Sequence, residues 1–222
     1  MEKLSSILAH ALLDSEAEVI TFVPTSGATQ VFDALNELGG NRYMVSFNEE
    51  PAITISHGAS IVGKRSAALI KSHGLAKGAN SIVDALAVDL TAGMVVVIFE
   101  DKSGSHSDSI FDVGALLEGL KIPYCVPKKE ELYREIMQSF VRSETFGIPV
   151  AVWVDSDDLA AELPYTPASI PAPSGHYERN IVKHAASPFL TQHQYHVSQV
   201  KRSTLDEQWR SIPHPVLPHM PA

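Results

Sequence analysis

A single cysteine, Cys125, stands in a chain of 222 residues. That excludes an internal disulfide, a CxxC zinc site and an iron–sulfur cluster held by this chain alone, and it fits a reducing, cytoplasmic setting. No run of about 18 apolar residues occurs, and the opening MEKLSSILAHALLDSEAE has neither a long apolar centre nor a cleavage pattern, so a soluble chain with no membrane partner is expected. Positive charge is also scarce. With 17 Lys and Arg against 26 Asp and Glu the net charge is -9, which argues against a nucleic-acid surface, because the phosphate backbone rewards Lys and Arg. Small molecules and proteins are the expected partners. A Walker loop and a GxGxxG turn are missing too.

What is present is an alternation of apolar runs with helical spacings. LSSILAHALL (4–13) has an apolar helical face. EVITFVP (18–24) reads as a strand that leaves through Thr25, Ser26 and Gly27 into the helix ATQVFDALNEL, stopped at Gly39-Gly40. YMVSF (43–47) is a second strand, followed by Glu49, Glu50 and a helix with Pro51 in its first turn. Gly58, Ala59, Ser60 and Gly63 in that region are small residues that allow close packing. SAALIK (66–71) is a third strand, SHGLAKG a loop, and ANSIVDALAVDLTAG a helix ending at Gly93. MVVVIFE (94–100) is apolar until Glu100, as in a central strand covered on both faces, and the polar loop DKSGSHSD follows it. A helix at 113–120, the strand IPYCV, the helix KEELYREIMQSFVRS and the strand PVAVWVD (149–155) complete the pattern. Six strands alternating with helices predict an α/β fold: a doubly wound, mainly parallel sheet with helices on both faces. In such a sheet ligands gather outside the carboxyl ends of the strands, where Glu49 and the glycine-punctuated 72–78 stretch would both arrive.

Composition changes after Leu163. Residues 164–222 hold nine of the 14 prolines and six of the ten histidines, with five Lys and Arg against three Asp and Glu. The expected division is an α/β domain over 1–163 and an extended Pro/His-rich tail over 164–222 that wraps a partner subunit or a second copy. Tyr165, Tyr177, Phe189, Leu190, Tyr195, Trp209 and Val216 would be its separate anchors.

The order of strand, Asn48-Glu49-Glu50, small-residue helix, Gly63-Lys64, strand, His73-Gly74-Leu75 and helix resembles the pyrimidine-binding (PYR) domain of thiamine diphosphate-dependent enzymes, over roughly residues 18–155. It is most similar to the branch that holds the alpha subunits of sulfopyruvate and phosphonopyruvate decarboxylases and the PYR part of indolepyruvate ferredoxin oxidoreductase. In that family a Glu precedes a helix Gly by nine residues, a spacing that Glu49 has to Gly58 and Glu50 misses by one. The resemblance implies that Glu49 hydrogen-bonds N1′ of the cofactor's aminopyrimidine and so promotes loss of the thiazolium C2 proton. The plainer reading is that Glu49 favours the positive end of its helix. His106 matches a loop that often carries substrate-facing histidines, where it would act as acid or base or orient a carboxylate; it reads equally as an exposed loop residue. His73 would face the same crevice or only bond the turn. Thr25, Ser26 and Gly27 would border the cofactor or cap a helix, and Gly74 and Leu75 would lie against it.

The family holds diphosphate and Mg2+ through a GDG segment in a second domain. This sequence has no GDG. The resemblance therefore implies a diphosphate-binding (PP) partner subunit, a hetero-oligomer such as α2β2, and a 2-oxo acid substrate. Decarboxylase or carboligase, 2-oxo acid oxidoreductase with clusters on partner chains, and a non-catalytic binding module remain the three readings.

Overall fold

The computed structural model describes residues 1–39, 44–107, 109–173, 175–185 and 187–210, without the side chains of 205, 206 and 208–210. Gly40, Tyr43, Asp108, Val216 and the side chain of Trp209 therefore lie outside the described residues. Six parallel strands form the sheet in the order β3 (Met44–Val45), β2 (Val19–Phe22), β4 (Ser66–Lys71), β5 (Met94–Glu100), β7 (Val150–Asp155) and β6 (Tyr124–Cys125). A separate antiparallel pair, β1 (Glu2–Lys3) with β8 (Glu162–Leu163), ties the start of the chain to the end of the α/β domain.

Helices cover both faces. On one lie α1 (Leu4–Asp14), α2 (Ala28–Gly39) and α6 (Leu132–Phe146); on the other lie α3 (Glu49–Ile61), α4 (Ser72–Ala87) and α5 (Val113–Leu120). All seven residues of β5 are buried, which is why that strand reads as one unbroken apolar run. The chain leaves β2 toward β3 on one side and leaves β4 toward β5 on the other. Their adjacent carboxyl ends are therefore the topological switch point, where the two exits diverge and open a crevice.

Two expectations about the helices on that side are corrected. SHGLAKG is not a loop: it forms the first two turns of α4, directly after β4. Its glycines are spaced by a helical turn and face α3, where a Cβ on Gly78 would meet Ile53 Cδ1 and one on Gly74 would meet Glu49. Close approach, not a turn, explains them. Conversely, a Cβ on Gly58 would have nothing within 4 Å, so Gly58 serves no close contact. The tight packing of α3 comes from its serines. Ser56 Oγ donates to Ala67 O at 3.2 Å and lies 3.1 Å from Thr21 Oγ1, and Ser60 Oγ donates to Ala92 O. The helix expected to run to Gly93 stops at Ala87, because the amides of Asp89, Leu90 and Thr91 bond Lys183 O, Gly147 O and Ser60 O instead.

The tail also departs from an extended chain. Beyond Leu163 it runs without regular structure past Tyr165, which stacks on His10 at 5.0 Å, and past Ala168, whose amide donates to Tyr133 Oη at 2.8 Å. It then forms α7 (Ile181–His184) and a 20-residue helix, α8 (Thr191–Arg210). The contacts of α8 are polar: Gln194 Nε2 donates to Val182 O and Ala185 O and so joins α8 to α7, and Lys201 pairs with Asp89 of the α/β domain. Docking by hydrogen bonds leaves no apolar period in the sequence, which is why this helix was not legible there. Of the expected anchors, Tyr165 packs on its own domain while Phe189 is 95% exposed.

Candidate functional site

Glu49 is placed by the start of α3. The amide of Ser46 donates to Phe22 O, its hydroxyl donates to Asn48 O at 2.7 Å, and the Asn48 side chain caps the helix by accepting from the Glu50 amide at 3.1 Å. The next two residues then point apart. Glu49 is buried, 6% exposed, whereas Glu50 is exposed. Either carboxylate answers the positive end of the helix, so that effect is met by Glu50 alone and gives no reason to bury Glu49. The Glu49 side chain lies against α4, where a Cβ on Gly74 would stand 2.5 Å from both its Cγ and its Oε1. Among the described residues its carboxylate has no hydrogen-bonding or ionic partner, and its oxygens are not sealed in with the side-chain stem but open to the crevice.

The neighbouring exit, from β2 to α2, brings a second unsatisfied group. Thr25 Oγ1 is buried and without a partner, so the expected cap by Thr25 is not made. Gly27 has φ +82°, and a Cβ there would stand 2.7 Å from Phe99 Cβ, so both backbone conformation and space require glycine. Ser26 is half-buried beside it. Leu75, in contrast, is fully buried in the hydrophobic core, and its side chain has no exposed surface to offer a ligand. That assignment is withdrawn.

At the exit of β5 the structure brings together residues that the sequence left scattered. His73 Nε2 lies 2.9 Å from Ser109 Oγ, its ring meets Phe111 edge-on, and its Nδ1 is buried without a partner. His106 has an exposed side chain and a fixed backbone: its amide donates to Asp101 Oδ2 at 2.6 Å and its carbonyl accepts from Lys71 Nζ at 2.7 Å. Asp101 and Glu100 were not singled out in the sequence. The only available signal for Asp101 was an acid ahead of a Ser/Gly-rich stretch, a common loop-bonding arrangement. Hydrogen bonds from the Ser107 hydroxyl first, then from the His106 amide and Ser103 hydroxyl, hold the Asp101 carboxyl down to about 2 against the opposing effect of burial. Burial raises the Glu100 carboxyl, partly offset by the Trp153 Nε1 hydrogen bond at 2.7 Å.

A depressed carboxyl contributes its stabilisation above its unfolded value, about 3.9, and loses it as pH falls through the folded value. The carboxyl-carbon resonance of Asp101 is therefore expected to hold its position from neutral pH to about 4 and to move only toward about 2. A midpoint near 4 in a pH series of NMR spectra would show that the carboxylate does not hold the loop.

Over 157 residues the chain is 26% identical to the sulfopyruvate decarboxylase alpha subunit of Methanococcus maripaludis, an alignment covering 68% of this chain and 94% of that protein. The chain resembles the PYR domain of thiamine diphosphate-dependent enzymes. It is also 26% identical over 151 residues to the indolepyruvate oxidoreductase subunit IorA of Archaeoglobus fulgidus, covering 64% of this chain but only 24% of that protein. No family model matches. Among solved structures, the fold is shared with the 2-oxoglutarate:ferredoxin oxidoreductase of Magnetococcus marinus, at TM-score 0.68 and 15% identity, covering 93% of this chain and 45% of that one. A Rhodococcus jostii thiamine diphosphate-dependent 4-hydroxybenzoylformate decarboxylase gives TM-score 0.62 at 20% identity, covering 74% of this chain and 32% of that one.

The residues present fit one end of that cofactor. The carboxylate of Glu49, without a partner among the described residues, offers a group to an aminopyrimidine edge, and Gly74 leaves the space that this carboxylate fills. Among the described residues no group of three or more His, Cys, Asp or Glu is placed to hold a metal ion. Among the described residues, too, no helix is long and apolar enough to cross a membrane.

Proposed function

We propose that this chain is the alpha, PYR-type subunit of a hetero-oligomeric thiamine diphosphate-dependent 2-oxo acid decarboxylase or carboligase, in which a PP subunit anchors the diphosphate and Mg2+. The observation that carries the reading is the buried, partnerless Glu49 at the switch-point crevice. When bound, thiamine diphosphate supplies an acidic C2–H and an electron sink for a 2-oxo acid. Glu49 holds a proton toward N1′ of the aminopyrimidine, and Gly74 leaves room for that carboxylate. His73 and His106 stand at the mouth, on the loop and helix that would receive the substrate carboxylate. Decarboxylation is favoured because the chain spans nearly the whole length of the decarboxylase subunit and only a quarter of IorA. The likeness to IorA supports a second reading, a 2-oxo acid oxidoreductase subunit. Release of CO2 without an electron acceptor distinguishes the two.

The test pairs two neighbouring acids in the assembled complex. Glu49→Gln is expected to slow C2 proton exchange of bound cofactor by about 10²–10⁴-fold, the usual scale of a lost acid–base group, while Glu50→Gln leaves it nearly unchanged. Equal effects of the two substitutions would sink the assignment. Intact assembly with undiminished exchange in Glu49→Gln would identify a binding module that has the fold without the chemistry.

A further inference from the structure

We propose that Asp101 is the positioning residue of the strand-end site, a single buried carboxylate that holds His106 over the start of α4. The inference rests on the functional reading above for what His106 does, and on the geometry alone for how it is held. Asp101 is 3% exposed directly after β5, beneath a loop whose residues Lys102, Ser103, Ser105 and His106 are exposed. Its two oxygens divide the loop between them. Oδ1 accepts from Ser103 Oγ and from the Ser105 amide, each at 3.1 Å; Oδ2 accepts from the His106 amide at 2.6 Å and from Ser107 Oγ at 2.7 Å. The Gly104 amide closes the turn on Asp101 O at 3.2 Å, with Gly104 at φ +69°.

A loop of serines and glycine has no apolar side chain with which to fix itself. Lys102 reaches Asp155 and Ile110 lies against Gly104, but the hydrogen bonds that shape the loop are those above, and four of them converge on one group. Charge-assisted hydrogen bonds are about twice as strong as neutral ones, so the carboxylate is suited to the task. The far side of the loop is fastened to α4 and its entry: Lys71 Nζ donates to His106 O at 2.7 Å and His73 pairs with Ser109. His106 is thus gripped at its amide by Asp101 and at its carbonyl by Lys71, which leaves only the imidazole free to move. The grip ends three residues before Gly74, the residue that touches Glu49. The loop and the buried acid consequently share one short piece of backbone, from Lys71 to Gly74. Asp101 touches neither cofactor nor substrate in this arrangement and acts through the residue it places.

Asparagine is the discriminating replacement because it keeps size and shape. In either orientation its NH2 faces a backbone N–H, that of Ser105 or that of His106, and one bond becomes a donor–donor clash. In the full chain, Asp101→Asn is expected to speed hydrogen exchange of the Ser105 and His106 amides by about tenfold or more, with Val96 and Ile98 in β5 unchanged, since a hydrogen bond to a charged group is lost locally. Unchanged exchange at both loop amides overturns the proposal, and so does faster exchange in β5, which would mean general unfolding. In the assembled complex, with sulfopyruvate as the probe, Asp101→Asn is expected to raise KM about tenfold with a smaller change in kcat. Asp101→Asn combined with His106→Ala should then be no worse than His106→Ala alone. Additive losses overturn the link to His106. A complex that decarboxylates no 2-oxo acid would overturn the functional reading instead, and the exchange measurement would still decide whether Asp101 holds the loop.

Discussion

Gly74→Ala is expected to slow C2 proton exchange in the assembled complex by about 10²-fold while leaving the chain folded, since a displacement near 1 Å of a reacting group has that scale of effect. The added Cβ would stand 2.5 Å from Glu49 Cγ and Oε1 and 2.8 Å from Cδ, and one of the two must move. The α4 backbone is held by the preceding central strand, so the displacement falls on the carboxylate. Helix propensity works the other way, because alanine is favoured over glycine by about 1 kcal/mol inside a helix. Gly58→Ala is the matched control: nothing lies within 4 Å of its added Cβ, and it should stabilise α3 without touching exchange. A crystal structure of the Gly74→Ala complex with Glu49 unmoved, or equal rates for the two variants, would refute the account.

The largest loss of stability is expected from Glu144→Ala. Arg65 is 1% exposed and is satisfied by Glu144 through Nε at 2.6 Å and Nη2 at 2.9 Å, by Ser15 O at 2.9 Å and by Pro171 O at 2.5 Å. Glu144 Oε1 also accepts from the Gly93 amide at 3.2 Å. Truncation leaves a buried guanidinium without its counter-charge and a buried amide without its acceptor, a change that costs about 3–5 kcal/mol. For a chain of this size that corresponds to a melting temperature lower by on the order of 10 °C. Calorimetry of the full chain checks it, and a drop within 2 °C of wild type, about 1 kcal/mol or less, would show that water or a rearranged carboxylate replaces Glu144. Replacing the pair together by Arg65→Met and Glu144→Leu should be milder than Glu144→Ala, because no charge is then stranded.

The centre of the sheet was legible because its strands are covered on both faces and therefore largely apolar: MVVVIFE and VAVWVD announce themselves. The choice of Glu49 over Glu50 was reached through a nine-residue spacing to Gly58, yet Gly58 touches nothing. What singles out Glu49 in three dimensions is burial against Gly74, a contact between two helices that no local spacing can encode. For the same reason Gly74 and Gly78 looked like loop residues. Glycine breaks an isolated helix, but here it faces Glu49 and Ile53, and tertiary contact overrides propensity. The roles of Asp101 and α8 were hidden by a shared cause. Both act through hydrogen bonds to backbone or polar groups, and such bonds leave no periodic trace of hydrophobicity.

Among the described residues, the tail from Pro171 onward fastens to the amino ends of the strands, at Arg65 before β4, Asp89 before β5 and the neighbourhood of Gly147 before β7. The molecule is therefore polar in the geometric sense, with its strap at one pole and the Glu49 crevice at the other. Held at three points on the far pole, the described part of the tail lies away from the crevice. Proteolytic removal of α7 and α8 would strip one pole bare and leave every contact described around Glu49, Gly74 and His106 in place.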